Sequence, residues 1–167
     1  MVEVEVAFIS MEAGTGIPIL ILKEKAGNPK RILPIWIGQP EAASIQWKLK
    51  GESPPRPMTH DLMQNIIERL RAKVVSVCVH SLVPAQRDAG TFLGQINIAV
   101  NGQILEIDSR PSDAIALALR CGAPIYVAEP IIQETGLSEN DLKAAEKQQS
   151  TSALEDLDED TLGRYSV

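Results

Sequence analysis

The chain has 167 residues, 44% of them hydrophobic but only 4% aromatic, and a formal net charge of −6. That length suits one domain whose core is filled by Val, Ile, Leu and Ala. No apolar run approaches the ~18 residues of a membrane span, and the alternating start Val2-Glu3-Val4-Glu5-Val6 lacks the basic and then apolar character of a signal peptide, so a cytoplasmic location is expected.

Residues 2–10 alternate between apolar and polar and predict a strand. The glycines within Met11–Gly16 predict a turn, and Ile17–Lys23 a second strand, apolar almost throughout and so buried on both faces. After a turn at Gly27-Asn28-Pro29 comes a third strand, Arg31–Ile37, in which Pro34 calls for an edge position or a bulge. A helix follows from about Pro40, and the prolines of Gly51–Pro57 end it. Thr59 is the expected N-cap of a second helix reaching about Ala72, with Leu62, Ile66, Ile67 and Leu70 as its apolar stripe. Residues 73–83 and 91–100 read as strands around a turn containing Asp88, Ala89 and Gly90. Asn101-Gly102 is a strong hairpin signal leading into a strand Gln103–Asp108. Ser112 is the expected cap of a third helix, Asp113 to about Arg120, ended by Cys121-Gly122. Pro124–Ala128 is a short strand.

Hairpins with about three interleaved helices define an α+β class with a mainly antiparallel or mixed sheet. The domain is expected over residues 1–135. A polar, helix-prone segment and an acidic tail are expected over 136–167. Residues 138–167 hold 8 acids and 3 bases, whereas residues 1–137 hold 14 acids and 13 bases, so the negative charge lies mainly in the C-terminal segment. Within the body, Lys48, Lys50, Arg56, Arg69, Arg71 and Lys73 outnumber Glu52, Asp61 and Glu68. They form either a phosphate-attracting face or an ordinary solvated helix flank. Cys78 and Cys121 make no CxxC or Cys/His cluster and read as inert core thiols.

Polar groups gather at two element ends. Asp108 closes a strand and Asp113 opens a helix; with Glu41 they are candidate oxygen ligands for a divalent cation, Mg²⁺ or Mn²⁺, of the kind that polarises a phosphoryl group. Arg110 between them suits bidentate phosphate binding, with Ser112 beside it. In the other stretch His60 is a candidate acid or base, Asp61 its orienter or a metal ligand, and Arg56 and Thr59 contacts to substrate. Each has a plainer reading: the helix dipole alone favours an acid in a first turn, and Asp108 with Arg110 can simply tie a turn. There is no P-loop, GxGxxG, GxSxG or HExxH, and no strand has the aromatic pattern of an RNA-binding platform.

Four segments in order, Leu33-Pro34-Ile35-Trp36-Ile37-Gly38 with Glu41-Ala42, Arg56-Pro57-Met58-Thr59-His60-Asp61-Leu62, Asp108 through Arg120, and Pro124-Ile125-Tyr126-Val127, resemble the bifunctional nuclease (BFN) family. The resemblance spans roughly residues 1–135, and the run Arg110-Pro111-Ser112-Asp113-Ala114-Ile115-Ala116-Leu117-Ala118 is its most specific part. It implies an α+β fold and a nuclease acting on DNA and RNA. Some members add a C-terminal UVR-type module, which nothing in the acidic tail resembles. The site residues above are inferred from chemistry and position within these segments. A metal-assisted phosphodiesterase is the first expectation. A non-catalytic regulator of the nucleic-acid machinery and an oligomeric adaptor are the alternatives, and a homo-oligomer is compatible with all three.

Overall fold

The computed structural model describes residues 1–52, 54–83 and 90–138. Among the described residues the period-two stretches become strands of one eight-stranded sheet. β1 (Val2–Met11), β2 (Pro18–Glu24) and β3 (Arg31–Trp36) form an antiparallel meander. β4 (Lys73–Val83), β5 (Thr91–Val100) and β6 (Gln103–Ser109) form a second. β7 (Ile125–Val127) joins the two, antiparallel to β1 and parallel to β4. β8 (Leu137–Ser138) closes the far edge on β3, giving the order β6-β5-β4-β7-β1-β2-β3-β8. This is the mixed α+β sheet that the hairpin signals predicted.

The local reasons are legible. Asn101 and Gly102 both adopt positive φ, which suits the tight β5–β6 hairpin. Pro34 is paired on its β2 side only, because β8 reaches no further along β3 than Arg31 and Ile32, so its missing N–H costs no ladder bond. Leu20, Ile21 and Leu22 are all buried, as the unbroken apolar run required.

Among the described residues four helices accompany the sheet: α1 (Gln39–Leu49), α2 (Thr59–Arg69), α3 (Pro111–Cys121) and α4 (Glu129–Thr135). α3 is the central one. Ala114 to Ala118 are fully enclosed, packing with Val77, Val79 and Ile96 of the sheet and Ile45 of α1 in one core. Gly122, at φ 64°, ends it in the left-handed conformation that glycine tolerates best. Gly94 lets α3 come close: a Cβ there would lie 3.0 Å from the Pro111 backbone. Gly94→Ala should therefore cost about 1–3 kcal/mol by overpacking, read as a shifted midpoint in urea unfolding. Under the sheet's other half, Arg31 holds the buried Glu24 at 2.6 Å and Glu129 of α4 at 2.8 Å. The Arg31 hydrogen bonds hold the Glu24 carboxyl below its ordinary range against the opposing effect of burial.

Three expectations shift. The N-caps of α2 and α3 are Met58 and Arg110, so Thr59 lies one residue inside, as N1, and Ser112 two residues inside, as N2. Of the expected α2 stripe only Ile67 faces the core. His60 is buried and Met63 and Ile67 pack inward, so Leu62, Ile66 and Leu70 point to solvent. Finally, α4 and β8 continue the structure through Ser138. The predicted turn at Asp88 and Ala89 and the expected segment beyond Ser138 lie outside the described residues. No helix among the described residues is long and apolar enough to cross a membrane.

Candidate active site

The first turns of α1, α2 and α3 converge, each with an acid at its third position: Glu41, Asp61 and Asp113. An acid there answers the unpaired N–H groups and the positive end of the helix. Here each acid also reaches another helix or the Arg110 beside it. Asp113 is the hub. Its Oδ1 accepts from His60 Nε2 at 3.1 Å and from Arg110 at 3.1 Å, and its Oδ2 accepts from Arg110 Nε at 2.7 Å. Arg110 also donates to Glu41 at 2.7 Å. The two carboxylates push the Arg110 guanidinium further above its ordinary range, the Asp113 hydrogen bond most of all.

Behind this hub His60 is 6% exposed, and its Nδ1 lies 2.9 Å from the Ser44 hydroxyl, itself buried at 2%. The Asp113 carboxylate can only accept, so Nε2 carries the hydrogen between them, and a neutral ring with that hydrogen accepts from the Ser44 hydroxyl at Nδ1. Ser44, His60 and Asp113 thus line up as hydroxyl, imidazole and carboxylate. The hydroxyl is enclosed, however, so it orients the ring and is not an accessible nucleophile. Ser44→Ala should leave Nδ1 without a donor and cost about 1–3 kcal/mol, measured by denaturant unfolding. Glycine at 38 belongs to the same arrangement, since any Cβ there would run into the Glu41 carboxylate.

Asp61 serves a neighbouring network. Burial works against its charge, but hydrogen bonds from Arg120 Nε at 2.5 Å and the Met58 N–H at 2.9 Å outweigh it and hold the carboxyl below its ordinary range. Arg120 is buried and donates on to the carbonyls of Ala116 and Ser44. Both Asp61 oxygens are therefore spent on structure.

Arg110 also stands at the rim of a cleft of about 650 Å³. Trp36, Ile37, Leu82, Phe92 and Leu137 are among its apolar walls; Ser112, Thr91 and Thr135 are polar points on it.

The structure thus joins Glu41, His60, Arg110 and Asp113, places Asp61 next to them, and puts Ser112 on the cleft wall. It does not bring in the rest. Asp108 pairs with Gln95, one residue out of phase with Ile96, which packs in the helix-side core; strand alternation therefore turns Asp108 to the helix-free face. Arg56 and Thr59 are exposed and line no part of the cleft. Ser44 and Arg120 were missed. The signal for each was a polar residue inside an apolar helical run: Ser44 within Ala42–Ile45, and Arg120 at the end of Ala114–Leu119. Cys78 is buried and Cys121 half-buried, with both thiols pushed up by burial, which fits inert groups.

Among the described residues no group of three or more His, Cys, Asp or Glu side chains is placed to hold a metal ion. Glu41 and Asp113 meet only across Arg110, and Asp108 is on the other face. The donor set does not fit a resident divalent cation.

Comparison with known proteins agrees with the residues. The bifunctional nuclease domain model matches residues 20–140. Uncharacterized protein Rv1829 of Mycobacterium tuberculosis is 41% identical over 137 residues, 82% of this chain and 77% of that protein. Bifunctional nuclease 1 of Oryza sativa subsp. indica is 27% identical over 118 residues, 71% of this chain but 35% of that protein. Bifunctional nuclease 1 of Arabidopsis thaliana is 26% identical over 120 residues, 72% and 36% respectively. The chain belongs to the bifunctional nuclease domain family.

Proposed function

We propose that the protein is a phosphodiesterase acting on nucleic acid, DNA or RNA, at the Arg110 end of the cleft. The observation that carries this reading is Arg110 itself, 65% exposed in its side chain yet fixed by two carboxylates at the cleft rim. A pre-oriented guanidinium is the side chain best matched to a phosphodiester, and the family resemblance to the plant bifunctional nucleases supports the same chemistry.

Burial decides the division of labour. His60 is enclosed, so it acts by holding Asp113. Asp113, 24% exposed in its side chain, takes the proton of the attacking water. The water oxygen bonds to phosphorus as the ester P–O bond breaks, the departing sugar oxygen takes a proton from solvent, and Arg110 stabilises the charge on the non-bridging oxygens. The Glu41–Arg110–Asp113 cluster holds two negative charges against one positive, so affinity for the strand rests on the bases of residues 47–73 as well. No step here runs through a metal, and the Mg²⁺ or Mn²⁺ expected from the sequence becomes an arm of the test. Nucleic acid as partner, a cytoplasmic setting and a homo-oligomer belong to this reading. The open β6 edge, with Ile104, Leu105 and Ile107 exposed, supports the last.

Highly purified protein should cleave labelled single-stranded DNA or RNA, with activity tracking the protein peak through a final column in Mg²⁺, Mn²⁺ and EDTA alike. Activity in metal alone would restore the metal-assisted form; activity that separates from the peak would sink the reading. A second reading, a binding protein without turnover, is favoured by one observation: both His60 nitrogens and both Asp113 oxygens already have partners within the chain. It expects salt-dependent binding and no product.

A further inference from the structure

The outward face of α2 is unusual for a solvent-exposed helix. Leu62, Ile66 and Leu70, spaced at i, i+4 and i+8, are 53%, 50% and 69% exposed. They form an apolar stripe with nothing among the described residues covering it. Arg69 lies on the same side, and Arg71 and Lys73 follow directly; all three are exposed, and no acidic side chain among the described residues pairs with them. An apolar stripe edged with bases calls for an occupant with apolar residues interleaved with acids.

The chain itself contains one. Residues 153–162 read Ala-Leu-Glu-Asp-Leu-Asp-Glu-Asp-Thr-Leu, with Leu154, Leu157 and Leu162 among five acids and no base. The described structure ends at Ser138, paired with Arg31 on β3. From there to Leu154 the chain can extend up to about 50 Å at 3.3–3.6 Å per residue. A body of this size has a radius of gyration of about 14 Å, so that span is longer than the distance across the body. Attachment to the same chain also gives the segment a high effective concentration, which a separate partner lacks.

We propose that the exposed α2 stripe is the seat of the chain's own acidic segment, residues 153–162, its leucines on Leu62, Ile66 and Leu70 and its carboxylates on Arg69, Arg71 and Lys73. Seated there, the segment covers bases that the nucleic-acid reading uses. The seat itself does not depend on that reading, and its test contains no nucleic acid.

The test is photo-crosslinking in the full chain, with a photoreactive phenylalanine analogue at Ile66 and, in a second preparation, at Leu62. The same analogue at Met11 of β1 serves as an exposed control. The expected product is monomeric on a denaturing gel, and peptide mapping joins α2 to residues 153–162. That product should be lost in about 1 M salt, where the Debye length is about 3 Å. It should also be lost when Glu155, Asp156, Asp158, Glu159 and Asp160 are replaced by their amides. A dimeric product means that a second copy covers the stripe, and overturns the proposal. So do a product joined to another segment, equal capture of the tail from Met11, and no product from either α2 position.

Discussion

Asp61→Ala should unfold far more readily than the wild type, by roughly 3–5 kcal/mol, the usual cost of leaving one partner of a buried ion pair behind. The partner left behind is Arg120, 4% exposed in its side chain and tied to two backbone carbonyls, so it cannot swing out to water. The α2 cap at Met58 is lost in the same change. A fall in Tm on the order of 10–20 °C follows for a chain of this size. Replacing both partners by apolar residues, Asp61→Leu with Arg120→Met, should recover part of the loss, because no unpaired charge then remains buried. The pair also sets a pH dependence. The folded carboxyl titrates below its unfolded value of about 3.9, so its contribution is complete above that value and is lost as pH falls through the depressed one. Thermal scans on the wild type and both variants between neutral pH and pH 3 measure all of this. A loss below about 1 kcal/mol would mean that the pair behaves as a surface contact.

Asp113→Asn and Asp108→Asn should behave very differently, although sequence position gave the two residues the same role. Asp113 is the acceptor shared by His60 and Arg110, and under the proposed reading it is also the base. Its amide should reduce cleavage by about 10²–10⁴ and cost about 1–3 kcal/mol of stability through the unmatched His60 and Arg110 donors. Asp108 lies on the helix-free face of an edge strand. Its amide should change stability by no more than about 0.5 kcal/mol and leave cleavage intact. Steady-state rates beside urea titrations separate the two. Equal loss of activity in both would return Asp108 to the site.

Most of the fold was readable because its signals are local. Alternation, the Asn101-Gly102 turn, the prolines after α1 and Gly122 after α3 each act within a few residues. The orientation of α2 was not local. Leu62, Ile66 and Leu70 make a proper stripe by spacing, but the buried His60 and the Asp61–Arg120 pair turn the helix the other way, and those contacts come from α1 and α3. The same holds at the site. Residue type and first-turn position singled out Glu41, His60, Arg110 and Asp113, whereas the face on which Asp108 stands depends on its register with Gln95. Ser44 and Arg120 needed a rule that the sequence did supply: a polar residue inside an apolar run is paired or functional when it is buried.

Cleavage of a labelled single-stranded oligonucleotide by wild type and Arg110→Gln, purified side by side, tests the central claim most directly. Arg110 is exposed, but its loss leaves Glu41 and Asp113 without their shared cation, so an unfolding midpoint measured beside the rates confirms that the variant compared is folded. Its rate should fall about 10²–10³-fold, the scale of losing one transition-state charge stabiliser. Equal rates in the two preparations would contradict the account, since the cleavage would then owe nothing to the Arg110 end of the cleft.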